Sequence, residues 1–95
     1  DDIINGTISA VEKNYKCEIF NLGNNNSVSI LDLIATIEKH LKISAIVDYA
    51  PLQKGDPVIT FASIEHAQEK LNYNPKVKID QGIPKFIDWY KNYYV

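Results

Sequence analysis

The chain has 95 residues, a formal net charge of −2 and a hydrophobic fraction of 45%, as expected for one ordinary globular domain with a modest core. The slight acidity argues against a general nucleic-acid binder, which needs a basic face, and no apolar run approaches the roughly 20 residues of a membrane-spanning helix. The one cysteine, Cys17, has no intrachain partner for a disulfide, so we expect an inert thiol in a reducing, cytoplasmic compartment.

The N-terminal sequence indicates a piece of a longer protein, cut at its N-terminal side. The chain contains no methionine and begins with Asp1 and Asp2, residues that cap helix N-termini. Apolar residues with the helical spacing i, i+4, i+7 follow at Ile4, Ile8 and Val11. They predict the inward face of a helix to about Lys13. Residues 17–22 then alternate in the manner of a strand.

The most regular pattern in the chain predicts a helix over residues 30–42. Ser29 and Asp32 resemble a capping box at its start, with Asp in place of the usual Glu. One apolar stripe runs along it: Ile30, Ile34, Ile37 and Leu41. Residues 44–49 and 58–62 are two further strand candidates, separated by a polar turn.

Two more helices are predicted in the last third of the chain. Ser63 is the expected N-cap of a helix that runs through Leu71, with Ile64, Ala67 and Leu71 facing inward. The helix ends at Asn72, a residue that tolerates the left-handed conformation. The last helix covers residues 79–93, with Asp80 as the better N-cap candidate. Its expected inward face is formed by Ile83, Phe86, Ile87 and Tyr90. Its aromatic residues favour packing against a parent domain over stacking on nucleic-acid bases.

These elements predict an α/β class, as a small α+β-like lobe of four helices with two or three short strands. Helices that alternate with strands favour a layer of helices on a small sheet. Three short strands are too few for a complete ligand-binding α/β domain, which again indicates part of a larger protein.

The chain offers few groups for catalysis. His40 and His66 lie on the polar sides of predicted helices without a partner at metal-ligand spacing, so we expect no metal site. There is no Gly-x-Gly-x-x-Gly fingerprint of a dinucleotide site, and no tyrosine is followed by lysine four residues later. We therefore expect no catalytic or cofactor-binding residue in the chain.

The turn QKGDP leaves two interpretations open. Lys54 is a point charge suited to a phosphate, Gly55 allows close approach of a ligand, and Asp56 is an acceptor suited to a pair of hydroxyl groups. The simpler alternative is a β-turn with Lys54 in solvent.

Four segments in order carry a resemblance to a known family: DDIINGTISAV, EIFNLGNNNSVSILDLIATIEKHL, PLQKGDPVITFASIEHAQEKLNYNP and DQGIPKFIDWYKNYY. Together they resemble the C-terminal part of NAD-dependent sugar-nucleotide epimerases in the extended short-chain dehydrogenase/reductase family. The likeness is greatest to the UDP-glucuronate 4-epimerases and covers essentially all 95 residues.

The resemblance implies that residues 1–95 are the C-terminal substrate-binding lobe of an isomerase whose N-terminal NAD-binding Rossmann domain is absent here. Such a parent enzyme inverts the sugar C4 of a UDP-sugar through a 4-keto intermediate, with NAD as cofactor. A cytoplasmic homodimer that serves polysaccharide biosynthesis is implied as well, without nucleic-acid or membrane partners.

The resemblance also assigns roles to the residues of the turn. Gly55 and Asp56 match the nucleotide-binding turn of the family, where Asp56 would contact the ribose of UDP. Gln53 stands where many relatives place an arginine for the diphosphate, and Lys54 stands where the glucuronate subgroup commonly has proline. Thr60 matches a position near the sugar ring.

Two alternative functions remain open at this point. The first is the same lobe in a nucleotide-sugar dehydratase or decarboxylase. The second is a non-catalytic module that docks a protein partner through its aromatic last helix.

Overall fold

The computed structural model describes residues 1–95 and contains four α-helices. They are α1 (Asp2–Lys13), α2 (Ile30–Leu41), α3 (Glu65–Leu71) and α4 (Ile79–Tyr94). All four predicted helices are confirmed, with closely matching ends. None of them is both long and apolar enough to cross a membrane.

The predicted α/β class is wrong, because the chain contains no β-strand and is all-helical. The three segments predicted as strands have no regular secondary structure: residues 17–22, 44–49 and 58–62. Alternating polarity marks a stretch that suits a sheet, but a strand forms only where a second stretch hydrogen bonds to it. Within this chain they make one long-range backbone hydrogen bond, from the Ala62 N–H to the Asn24 carbonyl at 3.1 Å. Their apolar side chains accordingly stay exposed, as at Ile19 and Ile46.

The chain divides into two compact units, of which the first comprises Asp1–Ser27 and Ile59–Val77. Helices α1 and α3 pack against each other in this unit. Its buried core consists of Ile64, Ala67, Leu71 and Tyr73. The sequence correctly predicted the first three as inward-facing. Burial of a leucine or isoleucine side chain contributes about 1.5–3 kcal/mol, so Ile64 and Leu71 together contribute roughly 3–6 kcal/mol to the stability of the unit.

Gly6 allows α1 to approach its neighbours closely. A Cβ atom at this position would lie 2.8 Å from Leu22 Cδ2 and 2.9 Å from Tyr73 Cδ2. The glycine side of α1 therefore faces the core. As a consequence, the predicted inward face of the helix is wrong, since its side chains are exposed: Ile4, Ile8 and Val11.

The acidic start of α1 acts differently from the predicted cap. Asp1 occupies the N-cap position, but its side chain makes no capping hydrogen bond. The Asp2 carboxylate instead accepts the backbone N–H groups of Lys76 at 2.9 Å and Val77 at 2.8 Å. It fastens the segment that follows α3 to the start of α1.

The C-terminal end of α3 was predicted correctly, and its N-cap was not. Asn72 ends the helix in the left-handed conformation with φ of 54°, as predicted. The predicted N-cap Ser63 is wrong, because Ile64 occupies that position without a side-chain hydrogen bond. Ile64 is buried in the core, so packing rather than capping fixes where α3 begins.

The second unit comprises Val28–Val58 and Lys78–Val95, and in it α2 packs against α4. The predicted cap of α2 is confirmed: the Ser29 hydroxyl oxygen accepts the Asp32 N–H at 3.1 Å, and the hydroxyl donates to the Asp32 carboxylate at 2.7 Å. The apolar stripe of α2 is half-buried at Ile34, Ile37 and Leu41.

Helix α4 differs from its prediction at its start and on its face. Its N-cap is Lys78, without a side-chain hydrogen bond, rather than Asp80. Ile87 is buried as predicted, whereas Phe86 and Tyr90 are exposed. A helix that packs on one neighbour buries only a narrow stripe, which leaves the adjacent positions in solvent.

Candidate functional site

Residues 53–56 form a β-turn in the second unit. The Asp56 N–H donates to the Gln53 carbonyl oxygen at 3.2 Å. Gly55 has a φ of +93°, while Lys54 is not among the residues with positive φ. This combination defines a type II turn, which requires glycine or a similarly tolerant residue at its third position. The turn predicted from the sequence is therefore present.

The side chains of the turn are free to meet a ligand. Gln53, Lys54 and Asp56 are exposed, and none of them makes a side-chain hydrogen bond or ion pair within the chain. Apart from Gly55 itself and its two chain neighbours, no heavy atom lies within 4 Å of the place that a Cβ of Gly55 would occupy. One short turn thus presents an amide, an ammonium group and a carboxylate beside an accessible backbone.

The remaining residue predicted for the site, Thr60, is not part of this turn. It is exposed and lies in the segment Ile59–Val77 of the first unit. The structure therefore brings together Gln53, Lys54, Gly55 and Asp56 by local geometry alone.

The first unit contains a cleft of about 320 Å³ that the sequence did not predict. Its polar lining comes from both sequence segments of the unit and includes Asn5, Ser9, Asn72 and Asn74. None of the residues predicted for the site lies in it. The sequence does not show that these residues line one cleft, because they become neighbours only when α1 packs against the chain around Tyr73. Their one local signal is the asparagine pair of NYNP.

Tyr73 stands beside this cleft and joins it to the core. Its hydroxyl donates to the Gly23 carbonyl oxygen at 2.8 Å. Burial raises the pKa of Tyr73 above its ordinary value, and the neighbouring negative charge of Asp2 raises it further. The phenol is therefore neutral at physiological pH and acts as a fixed donor.

The chain holds no cluster of three or more histidine, cysteine or carboxylate side chains that could bind a metal ion. His66 has no partner nearby in the sequence, but the fold brings two other side chains into contact with it. Its Nε2 lies 3.2 Å from a carboxylate oxygen of Glu18, and its ring stacks on Phe20 with centroids 5.1 Å apart. These contacts attach residues 18–20 to α3. None of the three side chains is a nucleophile of the Ser or Cys type.

The residues present do not fit a dinucleotide cofactor. A dinucleotide site needs a glycine-rich turn between a strand and a helix N-terminus, and the chain has no strand. Gly6 lies inside α1 with its open side filled by Leu22 and Tyr73. The chain therefore provides no dinucleotide-binding turn of its own.

Comparisons with known proteins agree with the motifs in the sequence, although no family model matches the chain. An uncharacterized protein of Methanocaldococcus jannaschii is 37% identical over 94% of the chain and 27% of its own length. UDP-glucuronate 4-epimerase 1 of Arabidopsis thaliana is 32% identical over 99% of the chain and 25% of its own length.

A solved structure gives the same result in three dimensions. The UDP-glucuronic acid 4-epimerase of Bacillus cereus, crystallised as a mutant with NAD and UDP-4-deoxy-4-fluoro-glucuronic acid, superimposes with a TM-score of 0.83 at 34% identity. The match covers 99% of this chain and 31% of that one. The resemblance stated from the sequence is confirmed: from end to end, the chain is similar to a part of UDP-glucuronate 4-epimerases that makes up about a quarter to a third of their length.

Proposed function

We propose that residues 1–95 are the C-terminal substrate-binding lobe of an NAD-dependent UDP-sugar 4-epimerase that acts on UDP-glucuronate or a closely related sugar. The observation that carries the proposal is the TM-score of 0.83 to the Bacillus cereus enzyme over 99% of the chain. The similarity to the plant UDP-glucuronate 4-epimerase over the same extent supports it independently.

In this proposal the turn at residues 53–56 binds the nucleotide part of the substrate. The Asp56 carboxylate accepts hydrogen bonds from the ribose hydroxyl groups, and the open backbone at Gly55 lets the nucleotide approach. Lys54 and Gln53 lie on the side of the diphosphate, where a charged and an amide group are useful. Thr60 contributes a hydroxyl near the sugar ring. The turn supports these roles because its polar groups have no partner within the chain.

In this proposal, an N-terminal Rossmann domain of the same parent protein binds NAD and carries out the chemical step. The exposed apolar face of α1 and the unpaired segment at residues 17–22 support such a partner, because surface of this kind is normally covered. A cytoplasmic location and a homodimeric parent complete the proposal. The exposed thiol of Cys17 supports a reducing compartment.

Substitution of Asp56 in the full-length parent tests the role of the turn. We expect Asp56→Ala to raise the KM for UDP-glucuronate about tenfold, since one hydrogen bond to a charged group is worth about 1.5 kcal/mol. The affinity for NAD should stay the same. Asp48→Ala, at another exposed carboxylate of the second unit, is the matched control and should change neither value. An unchanged KM in Asp56→Ala would rule out Asp56 as a substrate-binding residue.

The gene sequence upstream of Asp1 tests the enzyme itself. We expect a glycine-rich strand–turn–helix unit and a Tyr-x-x-x-Lys motif, followed by turnover of UDP-glucuronate in an assay of the full-length protein. If the upstream sequence contains neither motif, the proposed activity is wrong.

A further inference from the structure

The irregular segment before α2 contains three consecutive exposed asparagines, Asn24, Asn25 and Asn26. Asparagine is one of the thermolabile residues, because the backbone nitrogen of the following residue can attack its side-chain amide carbon. The attack needs a backbone N–H that makes no hydrogen bond, and a following side chain that is small enough not to block the approach. The structure separates the asparagines of this chain by these two conditions.

The sequence alone favours Asn5, because it precedes Gly6 and glycine has no side chain to block the attack. Both residues lie inside α1, however, and Gly6 is buried there. Within a helix a backbone N–H is bonded to the carbonyl oxygen four residues earlier. The nitrogen of Gly6 is therefore held in place, and Asn5 is protected as long as α1 is folded.

The asparagines outside α1 and the loop precede residues that are poorly suited to attack. Asn74 precedes Pro75, which has no backbone N–H. The others precede a tyrosine or a leucine, whose large side chains crowd the approach: Asn14, Asn21, Asn72 and Asn92. These five positions therefore fail at least one of the two conditions.

Within the loop, one hydrogen bond protects two of the three asparagines. The Asn24 Oδ1 atom accepts the backbone N–H of Asn26 at 3.0 Å. This bond turns the side chain of Asn24 towards Asn26, and it occupies the nitrogen that would attack Asn25. The Ser27 N–H, by contrast, makes no hydrogen bond within the chain, and neither does the side chain of Asn26. Asn26 followed by Ser27 is thus the pair that meets both conditions.

We propose that Asn26 is a site of spontaneous deamidation in the folded chain. The Ser27 nitrogen forms a bond to the Asn26 Cγ atom, the bond from Cγ to Nδ2 breaks, and the Ser27 amide proton leaves with the amide group as ammonia. One water molecule then opens the resulting cyclic imide. The product at position 26 is aspartate or isoaspartate, depending on which of the two imide carbonyls the water attacks.

The product changes the segment that leads into α2. Both forms add one negative charge, and the isoaspartate form also adds one atom to the backbone. Asn26 is the last but one residue of the segment Asp1–Ser27, after which the second unit begins. The modification therefore alters the connection between the two units and no residue of a core. This inference goes beyond the proposed function and does not rest on it.

Incubation of the 95-residue chain at mildly alkaline pH, folded and in urea, tests the proposal. Peptide mapping by mass spectrometry locates each asparagine that has exchanged its amide group for a carboxylate, and an isoaspartyl methyltransferase labels the isoaspartate product. Both samples are followed until Asn26 has reacted in the one in urea. In the folded chain we expect Asn26 to react first and Asn5 to keep its amide. In urea the order should reverse, because Asn5 then precedes a glycine with a free N–H.

Substitutions at position 27 keep Asn26 in place and change only the attacking residue. Ser27→Gly should speed the reaction at Asn26 severalfold in the folded chain. Ser27→Val should slow it severalfold, because a β-branched side chain crowds its own backbone nitrogen. Asn26→Gln is the conservative variant without the site, since glutamine has to close a larger ring. Circular dichroism checks that each variant is folded.

Three results would overturn the proposal. Asn26 could keep its amide in the folded chain after it has reacted fully in urea, or another asparagine of the folded chain could react before it. The rate at Asn26 could also be the same in Ser27→Gly and Ser27→Val, which would exclude attack by the Ser27 nitrogen. None of these results affects the proposed enzyme function, whose tests use KM and the upstream sequence.

Discussion

The Asp2 carboxylate accepts the backbone N–H of Val77 at 2.8 Å, across 75 positions of the chain. The same oxygen accepts the Lys76 N–H at 2.9 Å. One side chain thus joins the two sequence segments of the first unit. Two backbone donors that would otherwise lack a partner are satisfied by a charged acceptor, and such bonds are stronger than neutral ones.

We expect Asp2→Ala to lower the free energy of unfolding by about 1–3 kcal/mol, because it leaves both N–H groups without their acceptor. Asp2→Asn keeps an acceptor oxygen without the charge and should cost less. Urea denaturation followed by circular dichroism measures the difference. Asp48→Ala is the control, since Asp48 is exposed and makes no hydrogen bond in the chain. Equal stabilities of Asp2→Ala and the control would contradict a fastening role.

Gly6→Ala should destabilise the first unit even though alanine favours helices by about 1 kcal/mol over glycine. Its Cβ would come within 2.8 Å of Leu22 Cδ2 and 2.9 Å of Tyr73 Cδ2, so the core must shift. Overpacking of this kind costs about 1–3 kcal/mol. Thermal unfolding compares it with Glu12→Ala, an exposed position of the same helix, which should be neutral or slightly stabilising. A rise in Tm for Gly6→Ala would show that the side chains of Leu22 and Tyr73 can move aside at little cost in free energy.

Stability should fall at alkaline pH because of Tyr73. Its pKa in the folded chain is raised from 10.0 by burial and by Asp2. Above this ordinary value the unfolded chain releases the phenol proton first, so deprotonation favours unfolding. The contribution of Tyr73 is complete below about pH 10 and is lost as the pH rises through the folded pKa.

The matched pair for this prediction is Tyr73→Phe and Tyr93→Phe. Unfolding free energies measured at several alkaline pH values should fall less steeply in Tyr73→Phe than in the unchanged chain. Tyr93 is 70% exposed, so its replacement should leave the slope as it was. The same slope in all three proteins would exclude Tyr73 as the titrating group.

The type II turn predicts how well position 55 tolerates other residues in place of glycine. Its φ of +93° disfavours residues with a Cβ, but asparagine tolerates positive φ better than alanine does. In the full-length enzyme of the proposed function, the KM for UDP-glucuronate should therefore rise in the order glycine, asparagine, alanine. The affinity for NAD is measured in parallel and should not change. A larger effect of Gly55→Asn than of Gly55→Ala would mean that space, rather than backbone conformation, limits this position.

The helices could be predicted because their signals are local. The spacing of apolar residues, the Ser29–Asp32 cap and the left-handed Asn72 act within a few residues of where they stand. The strands were predicted wrongly because Ile19 and Ile46 indicate only that a segment could pair. Whether it does depends on a partner, which this chain does not supply.

The candidate functional residues likewise include a group that could be predicted from the sequence and a group that could not. The turn from Gln53 to Asp56 could be predicted because its sequence signals, Gly55 and the Asp-Pro pair at 56–57, lie in or next to the turn itself. The cleft around Asn5 and Asn74 was not, because its residues are joined only by the packing of α1. The role of Asp2 was also missed, since aspartate at a helix start is a preferred N-cap and its acceptor role depends on Lys76 and Val77, far along the chain.

The turn at residues 53–56 holds its shape through the backbone bond between Gln53 and Asp56 and through the φ of Gly55. The side chains at positions 53, 54 and 56 take no part in holding it. At this proposed substrate-binding turn, single substitutions can therefore change the polar groups while the backbone stays as it is. For protein engineering, these three positions form a compact library in which charge and hydrogen-bonding groups can be exchanged at little cost in stability.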